Sequence, residues 1–142
     1  MTPPIPTNSI PQSLAGMTLD NVRLIERSMV VTFRGEIGEL HLICEPQGMV
    51  DTSVQPPRVT ISGMTFTVAT KMDFPAGTQQ ISGMAAVILR REVIGASLHE
   101  AMHTFSINLA GDYSVIINPM AGIQILKTQR IEAEFRAAVT LN

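Results

Sequence analysis

The chain predicts an all-β fold: a single β-sandwich or barrel-like domain of short antiparallel strands, preceded by an extended proline-rich N-terminal arm and leaving room for one short helix. Three observations carry this expectation. Roughly eight segments alternate apolar and polar residues, the period that puts every second side chain on one face of a strand. Clusters of glycine, proline, asparagine and aspartate punctuate those segments as turns do. Threonine and β-branched residues fill the segments themselves, and such residues suit a pleated, half-buried surface.

Residues 1–16 read as the arm and residues 17–142 as the β-rich domain. The first 19 residues carry no charged side chain and hold Pro3, Pro4, Pro6 and Pro11, four of the nine prolines. Proline fixes φ and removes a backbone donor, so this stretch favours an extended or polyproline strip over a sheet or helix. A strip of this kind orders by being tied to a surface. The expected surface is a neighbouring molecule's, with Pro3, Pro4, Ile5, Pro6, Ile10 and Pro11 making the contact.

Residues 17–27 (MTLDNVRLIER) space Leu19, Val22 and Ile25 three apart, which fits a short helix capped by Thr18 or an irregular lead-in. From Ser28 the period becomes two. Val31 and Phe33, then Leu40, Leu42 and Cys44, flank Gly35-Glu36-Ile37-Gly38 and predict a hairpin. Residues 45–57 are a loop by their proline and glycine content. Val59 and Ile61, then Met64, Phe66 and Val68, change parity across Ser62-Gly63, which places a tight turn or bulge there. The tetrad Ile-Ser-Gly-Met recurs at 81–84 and suggests two similar turns, while residues 73–77 (DFPAG) are a strong turn signal.

Residues 104–118 give the clearest hairpin. Phe105, Ile107 and Leu109 lead into Ala110-Gly111-Asp112, and Tyr113, Val115 and Ile117 lead out. A short strand resumes at 123–125 after Asn118-Pro119. Residues 129–141 alternate as a strand does, yet their Glu, Ala and Arg content suits a helix.

Composition limits function. Ten Lys+Arg against twelve Asp+Glu leave a net charge of −2, which argues against nucleic-acid binding through a basic surface. Charged residues make up 15% of the chain, against about 25% in ordinary soluble domains. Hydrophobic content is 45%, and mean hydropathy is positive. So little charge implies surface hidden in subunit contacts. Nine methionines suit contacts that mould to a neighbour. Cys44 is the single cysteine, so no intrachain disulfide forms, and its default role is a small buried hydrophobe. No secretory signal and no run of about 20 apolar residues is present, so the chain reads as made in the cytoplasm without a membrane partner.

One segment looks catalytic. His99-Glu100-Ala101-Met102-His103 matches HExxH and resembles the zincin metallopeptidases over these five residues. The resemblance implies zinc bound by His99 and His103, with Glu100 as general base on the metal-bound water. On a helix two residues four apart lie about 5–6 Å apart and share one metal. On a strand, at about 3.3 Å per residue, they lie about 13 Å apart and do not. Residues 84–105 offer apolar positions at helical spacing, but Val93-Ile94, Gly95 and the alternation after His103 favour an extended course. The expectation is therefore two histidines on a β surface, no catalytic residue and no cofactor. No nucleophile elbow, phosphate loop or dinucleotide fingerprint is present. Arg90-Arg91-Glu92 reads as a solvated hairpin or an interfacial ion pair.

The uncharged proline-rich arm, many short strands and scarce charge together resemble the structural proteins of bacteriophage virions, nearest the head-decoration or cement class. That resemblance is one of overall character. It implies a subunit located in the virion that stabilises a shell, with neighbouring copies of itself or a capsid shell protein as partners. A tail-tube or other ring-forming subunit is the alternative within that class, and the zinc peptidase the alternative outside it. Segments 59–70 and 113–126 are the expected contact regions of the domain.

Overall fold

The computed structural model describes residues 13–25, 27–36, 38–50, 53, 58–61, 63–80, 83–118, 122–128 and 130–135. The molecule is all-β. Its strands are β1 (Thr18–Ile25), β2 (Ser28–Gly35), β3 (Gly38–Pro46), β4 (Arg58–Ile61), β5 (Met64–Ala69), β6 (Gln79–Gln80), β7 (Val93–His99), β8 (Thr104–Leu109), β9 (Tyr113–Asn118), β10 (Gly122–Lys127) and β11 (Arg130–Phe135). They form two antiparallel sheets. The first runs β4-β5-β3-β2-β1-β6 and the second β11-β10-β9-β8-β7.

Facing apolar sides of the two sheets make one core. Met29, Val31, Phe33, Leu42, Cys44, Met64 and Phe66 come from the first sheet; Phe105, Ile107, Val115, Ile117, Ile123 and Ile125 come from the second. Phe66 and Phe105 stack across the gap with centroids 5.0 Å apart. Apart from Met29, these are the alternating apolar positions singled out in the sequence. The hairpins close where turn chemistry allows: Ile61 pairs Met64 around Gly63 at φ 79°, and Leu109 pairs Tyr113 around Gly111 at φ 87°. Glycine takes a positive φ without steric cost.

Residues 17–25 are not a helix. Leu19 pairs with Phe33 and Asn21 with Thr32, so Asp20 is the extra residue of a β-bulge. The bulge changes the parity of the strand, and Leu19 and Val22 both turn inward although three apart. A bulged strand thereby imitates helical spacing. The second Ile-Ser-Gly-Met copy does not repeat the first either. Gly63 turns a hairpin, whereas Gly83 opens a 3₁₀ segment, Gly83–Val87. Residues 130–135 are a strand, which resolves the ambiguity of the C-terminal stretch toward β up to Phe135.

The two sheets are joined at one corner. Leu19 N donates to Arg91 O at 2.9 Å, Arg90 N to Leu19 O at 2.6 Å, Val93 N to Met17 O at 2.6 Å, and Gly16 N to Val93 O at 2.9 Å. The lead into β1 thus pairs with the lead into β7, giving the sandwich a barrel-like seam. Leu14 is fully buried beside that seam, so the packed domain already includes residues just before Met17.

The outer side of the first sheet is also covered. Residues 28–33 of β2 are buried without interruption. Residues 70–78 leave β5 and reach β6 at the opposite flank of β1, so they must cross the outside of β3, β2 and β1. Phe74 on this strap meets the His41 ring edge-on at 5.7 Å and lies 4.1 Å under the Arg23 guanidinium. A strand buried on both faces loses simple polar alternation, which is why Val30 and Thr32 are inside together.

Candidate functional site

The HEAMH segment sits at the tip of the β7–β8 hairpin. His99 pairs with Thr104, so Glu100, Ala101, Met102 and His103 form the connecting turn. His103 N donates to Glu100 O at 3.1 Å, and His103 holds φ 56°. This corrects the expectation of an extended course through the motif: a four-residue turn interrupts it. It is not a helix either, and the zincin arrangement needs its two histidines on successive helical turns. His99 Nε2 lies 3.0 Å from Ser97 Oγ, a neighbour along its own strand. Among the described residues no group of three or more His, Cys, Asp or Glu is placed to hold a metal ion. The residues present, in a four-residue turn rather than on a helix, do not fit a zincin zinc site.

A second cluster was not foreseen from the sequence. Under the strap, Thr32 Oγ1 lies 2.9 Å from His41 Nδ1, and Arg23 Nη1 donates to the same threonine oxygen at 3.0 Å. Glu39 Oε2 is 3.6 Å from His41 Nε2. The Thr32 oxygen accepts from Arg23, and whether its hydroxyl also donates to Nδ1 or accepts from it is set by the His41 tautomer. Burial pushes the His41 pKa below its ordinary value; Glu39 opposes this and Arg23 adds to it. Order alone suggests a nucleophile, base and acid, but Thr32 is 1% exposed and lines none of the described cavities. Buried there and bonded to Arg23, with Phe74 against both Arg23 and His41, the cluster fastens the strap. The signal was legible in part: Thr32 and His41 are polar positions facing each other across a predicted hairpin.

Arg91 is neither a surface ion-pair residue nor a phosphate ligand. Its Nε donates to Val87 O, its Nη1 donates to Ala110 O at 3.0 Å, and its guanidinium lies 4.2 Å over the Tyr113 ring. It clamps the corner seam to the β8–β9 turn. Cys44 is fully buried and its thiol pKa is pushed up by burial, as an inert core position requires.

The surface divides the two expected contact regions. Segment 59–70 is largely consumed by its own domain: Ile61, Met64, Phe66 and Val68 are in the core, and Thr65 and Thr67 are buried behind the sheet. Segment 113–126 is different. Its inward residues are core, but Ile116 and Leu126 point out of the second sheet. With Ile94, which is 65% exposed, they line a groove of about 550 Å³ together with Asn108, Ser114 and Asp112. A second groove, of about 640 Å³, lies beside Ser13, Met17, Leu40 and Lys71. The enclosed void between the sheets is about 10 Å³, too small for a ligand. The contact residues Pro3, Pro4, Ile5, Pro6, Ile10 and Pro11 lie outside the described residues.

Among the described residues no helix is long and apolar enough to cross a membrane. Comparison with protein-family models and with curated proteins found no match to the chain.

Proposed function

We propose that this protein is a structural subunit of a virion or similar large assembly, of the decoration or cement kind, which works by associating with copies of itself and with the shell they cover. The observation that carries this reading is the aliphatic row Ile94, Ile116 and Leu126, facing outward from a domain whose core is already complete. Met102 and Ile131 add exposed apolar surface, at 69% and 52%. A chain with 15% charged residues has few charges with which to keep such a surface solvated and solitary.

Magnitude decides how the domain and the arm divide the work. A fully buried aliphatic side chain contributes roughly 1.5–3 kcal/mol. Three of them, partly buried before contact, supply a few kcal/mol, while association itself costs at least about 4 kcal/mol in lost freedom. The domain face alone is therefore too weak to hold an assembly. A proline-rich arm that loses little entropy on ordering can add its own apolar area to that face, and when each copy gives one arm and receives another, the two linked contacts bind far better than either.

Sedimentation and native mass spectrometry of the full chain test the reading. Discrete oligomers should form as concentration rises. A chain that stays monomeric up to millimolar concentration would remove it.

A further inference from the structure

Resting on the assembly reading above, we propose that the groove across the outer face of the second sheet receives residues 3–6 (Pro-Pro-Ile-Pro) of a second copy's N-terminal segment. The groove runs over four adjacent strands: Leu126 on β10, Ile116 and Ser114 on β9, Asn108 on β8 and Ile94 on β7. Three strand spacings of about 4.8 Å make its floor about 14 Å long. A polyproline strip rises about 3.1 Å per residue, so four or five residues fill that length.

The chemistry on both sides agrees. Pro3, Pro4 and Pro6 have no N–H to donate, so this strip cannot join a sheet edge as a regular strand. It can lie on a face, offering carbonyl acceptors and apolar rings. The groove supplies the complement. Its floor is aliphatic, and Asn108 accepts from Ser114 Oγ at 3.0 Å through Oδ1, which turns the amide into a donor. That amide nitrogen has no partner among the described residues. Among the described residues Asp112 is the one charged residue lining the groove, and it stands in the β8–β9 turn at the groove's end. A charged peptide would leave its charges unpaired over this floor, whereas residues 1–12 carry no charged side chain. The groove beside Ser13, by contrast, is lined by Glu36, Glu39 and Lys71 and suits an uncharged strip less well.

The test uses the full chain in light and isotope-heavy forms, mixed, with a photo-crosslinking residue replacing Ile5. Cross-links joining light position 5 to heavy peptides around residues 94, 108, 116 and 126 are the expected result. Ile94→Asp should weaken self-association at least about tenfold, since it buries an unpaired charge under the strip. Met49→Asp, an exposed position in the connection after β3 and away from the groove, should leave association unchanged. Cross-links confined to single chains would mean that each copy covers its own groove and would overturn the inference. Mixed cross-links landing elsewhere, or an Ile94→Asp variant that associates normally, would overturn it while leaving the assembly reading intact. A monomer at every concentration would remove both.

Discussion

Gly111→Ala probes the joint between the two sheets. Gly111 holds φ 87° in the β8–β9 turn, and a Cβ added there would stand 2.4 Å from Arg91 Nη1. The backbone term alone, an alanine forced into the left-handed region, costs about 1–2 kcal/mol. The steric term adds to it, because the guanidinium is not idle: it donates to Ala110 O at 3.0 Å and lies over Tyr113 at 4.2 Å. A hydrogen bond from a charged donor is worth roughly 1.5–3 kcal/mol. A half-exposed cation–π contact adds about 0.5–1 kcal/mol. Arg91 also holds Val87 O and can keep that bond while its tip swings away, so about half of the sum is lost. The total expected is about 2–4 kcal/mol. Urea unfolding followed by far-ultraviolet circular dichroism measures it. The decisive comparison is the same substitution in an Arg91→Ala background, where only the backbone term of about 1–2 kcal/mol should remain. If Gly111→Ala costs the same in both backgrounds, to within about 0.5 kcal/mol, Arg91 is not clamping that turn and the reasoning fails.

Three further outcomes follow from buried groups. His41 is held neutral by burial, so the unfolded chain binds its proton more readily. Stability is then full above the ordinary value of 6.5 and falls as pH drops below it. Glu45, pushed upward by burial, gives the opposite slope above its ordinary 4.5, so the contribution of His41 is isolated by comparison with His41→Gln, which should flatten the slope just below pH 6.5 in pH-dependent unfolding; an unchanged slope would rule His41 out. Thr67 Oγ1 is buried with no partner among the described residues, so Thr67→Val should raise stability by about 1 kcal/mol in urea titration. A loss instead would mean that the hydroxyl is satisfied. Cys44 should resist an aromatic disulfide reagent in the native protein and react at once in denaturant, because its thiol is fully buried with its pKa pushed upward; prompt native reaction would show that the core opens there.

Much of the fold was legible wherever one face of a strand meets the core and the other meets water. The hairpins around Gly63 and Gly111 follow from period-two patterning ending at a glycine that takes a positive φ. Reading failed where a second constraint overrode that pattern. The bulge at Asp20 gave Leu19 and Val22 helical spacing inside a strand. In the HEAMH segment, alternation on both sides hid a four-residue turn between His99 and Thr104. Arg91 looked like a surface charge because nothing local announces a carbonyl nineteen residues away. The groove residues Ile94, Ile116 and Leu126 come from three strands, and their meeting is a product of strand order.

By itself the sequence determined what each stretch of chain could be: strand, turn, or uncharged proline-rich strip. Those properties depend on the φ preferences of single residues and on the alternation of neighbours. Only the tertiary structure decided which strands pair, that residues 16–19 join 90–93 to seam the sheets, that the strap seals His41, and which aliphatic residues are left outside. The physical reason is that local preference ranks conformations of a few residues, whereas burial is a property of distant segments brought together, and a side chain's exposure is not defined until they are.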